Sequence, residues 1–137
     1  MLSDKHPMLS DNELKNLIEA IESLRSNVQW KEGKDVSHLN KRIKLKHLPS
    51  SASLSDYEML IFDLVRSGEN VLYLYEFTNK VYYGVRGFIK GQENEWFVIF
   101  GVGGILETAF PPEDIDEYLE SRGFVLIGRI KEVLKWT

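Results

Sequence analysis

The chain has 137 residues, 43% hydrophobic and 12% aromatic, which fits one domain with an apolar core and excludes a wholly disordered chain. It contains no cysteine and only three well-separated histidines, so a disulfide framework and a thiolate metal site are excluded; neither metal nor cofactor is expected. A formal net charge of −4 works against nucleic-acid binding through the overall field.

Residues 1–10 read as a flexible tail without the apolar core of a signal peptide. No stretch approaches the roughly 20 apolar residues of a membrane span. The expected location is the cytoplasm, or a target cell reached without a cleavable signal. Residues 11–26 place Leu14, Leu17, Ile18, Ile21 and Leu24 at helical spacing, with Ser10 or Asp11 as N-cap, and 11–34 form a helical extension. Gly33 interrupts the pattern. Val36, Leu39 and Ile43 then predict a second helix over 35–46, and Tyr57, Leu60, Ile61, Leu64 and Val65 a third over 55–67.

Residues 71–77, 80–88, 96–102 and 105–110 are β-branched and aromatic runs joined by short turns at Thr78-Asn79 and Gly103-Gly104, the pattern of an antiparallel meander. Pro111-Pro112 and the acids after them predict a helix to about Ser121, followed by a strand over 124–130 and a short helical end. The expected fold is α+β: three N-terminal helices packed on a four- to five-stranded antiparallel β-meander with one late helix, in a single domain over 1–137.

The charge is uneven. Residues 31–47 hold six basic residues (Lys31, Lys34, Lys41, Arg42, Lys44, Lys46) against Glu32 and Asp35. On the second helix His38, Lys41 and Arg42 share the face opposite Val36, Leu39 and Ile43. A histidine titrating near neutrality beside cations suits RNA cleavage, where the 2′-hydroxyl loses a proton and the phosphorane needs donors. A solvated helix face explains the same residues. His47 lies off that face and caps the helix end, with a role as base its alternative.

Arg86 is the one charge in an apolar strand, flanked by Gly84 and Gly87, and would clamp a phosphate or pair with Glu76. Glu107 and Thr108 are strand neighbours, so only one of them should face a site. Thr108 would orient a base and Glu107 could itself be one; ordinary β-propensity and an edge charge are the plain alternatives. Tyr82, among many strand aromatics, would stack a base or pack in the core.

A helix bearing SHLNKR (37–42), a further helix and a meander whose strand ends in Glu107-Thr108-Ala109-Phe110 together resemble the barnase–EndoU–colicin E5/D–RelE superfamily of metal-independent RNases, in its toxin and phage-associated branch. The resemblance covers roughly residues 36–130, within an RNase-like core of 35–137. It implies His38 as general base or acid, Arg42 and Arg86 on the phosphate, and Thr108 orienting. It also implies RNA contacts from Lys41, Lys44, Lys46 and Tyr82, with RNA (tRNA included) as substrate and an antitoxin or immunity protein as partner. The competing expectation is a non-catalytic acidic module that binds a basic protein.

Overall fold

The computed structural model describes residues 9–136. The expected tail thus lies almost wholly outside the described residues. Helix α1, Asp11–Ser26, starts at a capping box in which Ser10 and Glu13 exchange side-chain-to-backbone hydrogen bonds of 3.1 and 2.8 Å. Strand β1, Gln29–Trp30, follows, then α2, Lys34–Lys44, entered through Gly33 at φ 80°. A second capping box, between Ser53 and Asp56, opens α3, Leu54–Arg66.

Strands β2 (Val71–Phe77) and β3 (Lys80–Gly87) form a hairpin whose turn residues, Thr78 and Asn79, both have positive φ (51° and 65°). Strand β4 (Trp96–Gly101) turns through a 3-10 segment, Val102–Gly104, into β5 (Ile105–Phe110). Helix α4 (Ile115–Arg122), strand β6 (Val125–Arg129) and helix α5 (Ile130–Val133) complete the chain.

The fold is α+β. The expected meander runs from β2 to β5 but lies within a six-stranded mixed sheet, ordered β1-β5-β4-β3-β2-β6. Strand β6 adds antiparallel to β2, and β1 adds parallel to β5, pairing Gln29 with Ile105 and Trp30 with Leu106. Two residues carry no periodic pattern, so β1 had no sequence signature.

Alternation along the strands sends side chains to two layers. On one face Leu72, Leu74, Tyr83, Val85, Val98, Phe100 and Leu106 join the apolar stripes of α1 and α3. On the other, Tyr73 and Phe97 pack with Ile115 and Leu119 of α4. The sheet is thus covered on both sides, by α1 and α3 on one and by α4 on the other.

Beyond Leu106, β5 loses its β1 neighbour, and helices cover its open edge. The hydroxyl of fully buried Tyr57, on α3, accepts from the Ala109 N–H at 3.2 Å and donates to the Ala109 carbonyl. One side chain thereby substitutes for a missing strand. No helix among the described residues is long and apolar enough to cross a membrane.

Candidate functional site

Helix α2 lies beside the open edge of β5, rotated from the expected orientation. Leu39 and Arg42 are buried at 9% and 3% exposure, whereas Val36 is 55% exposed. Arg42 therefore leaves the solvent face. Its guanidinium lies 5.4 Å from the Phe110 ring centre and donates through Nη1 to Nδ1 of His47 at 3.2 Å. Its Nε has no acceptor among the described residues. Burial lowers its pKa, yet an arginine stays cationic.

His38, one position round the helix, reaches the sheet. Its Nδ1 is 3.1 Å from the Thr108 hydroxyl, and Nε2 is left without a partner among the described residues. Half-burial pushes the imidazole below its usual pKa, and Lys34, Arg42 and Lys41 push the same way while Glu107 opposes them. The ring is accordingly neutral at physiological pH, the form that accepts a proton.

Glu107 and Thr108 line the same pocket, although strand alternation should separate them. Between β4 and β5 the register passes from Ile99↔Thr108 to Phe100↔Leu106, leaving Glu107 as the extra residue of a β-bulge. The bulge brings both neighbours to the pocket. Glu107 also lies 3.6 Å from Lys31.

The pocket, about 270 Å³, sits on the α4 face of the sheet. Lys34 and His38 of α2 line it with Glu107 and Thr108 of β5. Tyr75, Tyr82 and Ile99 come from the sheet, and Tyr118, Arg122 and Phe124 from α4 and the turn after it. Tyr75 and Tyr82 are direct cross-strand partners, their ring centres 6.2 Å apart at 29°. Arg122 sits 4.9 Å over the Tyr118 ring. Neither Lys34 nor Arg122 has an ion-pair partner among the described residues.

Of the residues expected to act, His38, Thr108, Tyr82 and Glu107 converge here; Arg42, Arg86, Lys41, Lys44, Lys46 and His47 do not. Arg86 pairs bidentately with Glu95 at 2.7 and 3.0 Å and with Asp116 at 2.8 Å, so its guanidinium is already occupied, and not by Glu76. Those carboxylates raise its pKa further. Lys41 and Lys44 line a separate outward groove with Ser37, Asn40 and Leu45, and Lys46 is exposed beyond the helix end.

His47 donates its backbone N–H to the Arg42 carbonyl at 2.8 Å, the capping role expected of it. With Nδ1 tied to Arg42 and its ring edge-on to Trp96 at 6.4 Å, it stands outside the pocket that His38 lines. Sequence reasoning missed Tyr118, Arg122 and Phe124 as pocket residues, and took in Lys34 and Tyr75 only within the basic stretch and the strand aromatics. The i,i+4 spacing of Tyr118 and Arg122 and the hairpin pairing of Tyr75 with Tyr82 were the available signals. No group of three or more His, Cys, Asp or Glu among the described residues could hold a metal ion. No family model, curated protein or solved structure matches the chain.

Proposed function

We propose that the chain is a metal-independent endoribonuclease of the barnase–EndoU–colicin E5/D–RelE type, acting in the cytoplasm on RNA, tRNA included, under the control of an antitoxin or immunity protein. One observation carries this reading. Among the described residues, a neutral histidine whose Nε2 has no hydrogen-bond partner shares a pocket with a carboxylate, two cations without an ion pair and a wall of aromatic rings.

The roles follow from position. Nε2 of His38 takes the 2′-hydroxyl proton, and Thr108, bonded to Nδ1, fixes the ring plane. Glu107 stabilises the imidazolium as it forms, since its charge is the one that raises the proton affinity of His38. Lys34 and Arg122 meet the charge of the phosphorane. The 2′-oxygen bonds to phosphorus, and the bond to the 5′-oxygen breaks. That oxygen leaves with a proton from water at the pocket mouth, giving a 2′,3′-cyclic phosphate and a 5′-hydroxyl.

Purified protein in EDTA should cleave tRNA or total RNA to cyclic-phosphate ends. His38→Ala should lower the rate by about 10²–10⁴, the usual worth of one proton-transfer group. Cleavage unchanged in His38→Ala, or none by the wild type, defeats the proposal.

A second reading has its own observation. Glu113, Asp114, Asp116, Glu117 and Glu120 are all exposed around α4, a surface suited to a basic protein partner. Under that reading, expression in a bacterial host is harmless and affinity purification recovers one basic protein. Toxicity that His38→Ala abolishes excludes it.

A further inference from the structure

We infer that the pocket is a single-nucleotide site, in which an aromatic heterocycle stacks on the Tyr75–Tyr82 wall and its phosphate lies between Lys34 and Arg122. The inference rests on the nucleic-acid reading of the site and narrows it to a ligand of one size and two chemical ends.

Two sets of aromatic residues differ in exposure. Tyr83, Trp96, Phe97 and Phe100 are at most 2% exposed and build the core. Tyr75, Tyr82, Tyr118 and Phe124 are only half-buried and converge from β2, β3, α4 and the turn after it. Tyr75 and Tyr82 stack, Phe124 leans on Tyr75 at 4.9 Å, and Phe124 stacks with Tyr118 at 6.4 Å. Rings held by one another, with surface left on an open pocket, form a platform that needs no reorganisation to accept a flat ligand.

The charges supply the second end. Arg42 and Arg86, the two arginines expected on the phosphate, are occupied elsewhere. Lys34 comes from the first turn of α2 and Arg122 from the last turn of α4, so two cations without an ion-pair partner among the described residues reach the pocket from separate elements. The Glu107 carboxylate disfavours a phosphate on its own side and accepts instead from ring N–H or amino groups. At about 270 Å³ the space lies just under the roughly 300–1,000 Å³ of small-molecule pockets, which admits one nucleotide and not a run of stacked bases.

The test is calorimetric titration of the full chain with the four nucleoside 3′-monophosphates, the matching nucleosides and inorganic phosphate. A short single-stranded RNA, run as competitor, separates a free nucleotide from one held within a strand. At least one monophosphate should bind, and more tightly than either its nucleoside or phosphate alone. Tyr82→Leu, which keeps apolar bulk but removes the π face, should weaken binding about 5- to 150-fold. Arg122→Gln should weaken the monophosphate about tenfold and leave the nucleoside unchanged, with thermal unfolding confirming that both variants fold.

No binding of any monophosphate at millimolar concentration overturns the inference, as does binding indifferent to Tyr82→Leu. The ribonuclease reading fails separately. Nucleotide binding without RNA cleavage defeats catalysis and leaves the site standing; cleavage with KM unchanged in Tyr82→Leu does the reverse.

Discussion

Tyr57→Phe tests the arrangement that holds β5, and with it Thr108, against the helices. The side chain is fully buried, and its oxygen bonds both backbone groups of Ala109, where β1 no longer pairs with the strand. Removing the oxygen strands a buried N–H and a buried C=O, each costing about 1–3 kcal/mol, while the ring keeps its packing. A loss of about 2–6 kcal/mol is expected, a large share of the roughly 5–15 kcal/mol that holds a domain together. At this chain length that corresponds to a fall in Tm of about 7–20 °C. Circular dichroism melts and urea titrations with an unchanged m-value measure it. The His38 ring signals in an NMR spectrum should shift as well, because Thr108 precedes Ala109. A Tm change below about 2 °C would refute the reasoning, since water or a small strand movement would then be satisfying Ala109.

Three further outcomes follow from the same geometry. His38 and His47 both have pKa values lowered, first by burial and then by neighbouring cations. Between the lowered folded values and about 6.5 the unfolded chain binds more protons, so their stability contribution is present above that pH and declines as pH falls through the window. Urea unfolding at several pH values should therefore show a shallower acid slope in His47→Gln than in the wild type; equal slopes would exclude His47. Arg86→Met, which loses its paired hydrogen bonds to Glu95, should destabilise by roughly 1.5–3 kcal/mol yet leave any RNA cleavage within about threefold; a large loss of cleavage would return Arg86 to the phosphate. Arg42→Met should be neutral or stabilising by about 1–2 kcal/mol, because a buried cation without a carboxylate partner among the described residues is replaced by a chain of similar bulk. Arg42→Ala should cost about 2–4 kcal/mol through lost packing, and denaturant midpoints distinguish the two.

The long elements were readable because their patterns are overdetermined. Helix α1 repeats its apolar residues over 16 positions, and Thr78-Asn79 ends one strand and begins another as a two-residue turn. Helix α2 has 11 residues and few apolar ones, so the triplet Val36, Leu39 and Ile43 could not fix its rotation. Packing of Arg42 on Phe110 decided that rotation, and these residues are distant in sequence. The Glu107 bulge contains no glycine to announce it. The partner of Arg86 came from the connection after β3 rather than from β2, which strand-pair reasoning favoured. His38, Thr108, Glu107 and Tyr82 could be named because each is chemically conspicuous on its own element. Lys34 and Arg122 look like ordinary helix-end cations until the fold brings them to one pocket.

That redistribution changes what should drive binding. The basic stretch of residues 31–47 is not one phosphate-binding surface: Lys31 pairs with Glu107, Arg42 is buried, and Lys41, Lys44 and Lys46 are exposed away from the pocket. Two cations remain at the site of a chain whose net charge is −4. For single strands the logarithm of affinity falls with the logarithm of salt by about 0.7 per neutralised phosphate, so two contacts predict a slope of about −1.4. A protein that gripped RNA along the whole basic stretch would give about −4. Stacking, which salt screens little, must then supply most of the affinity, and Tyr82→Leu should weaken RNA binding while leaving the slope unchanged. Affinity measured between about 50 and 200 mM salt separates the two cases. A slope near −4 would mean that the outward lysines also hold RNA and that the pocket is only part of the binding surface.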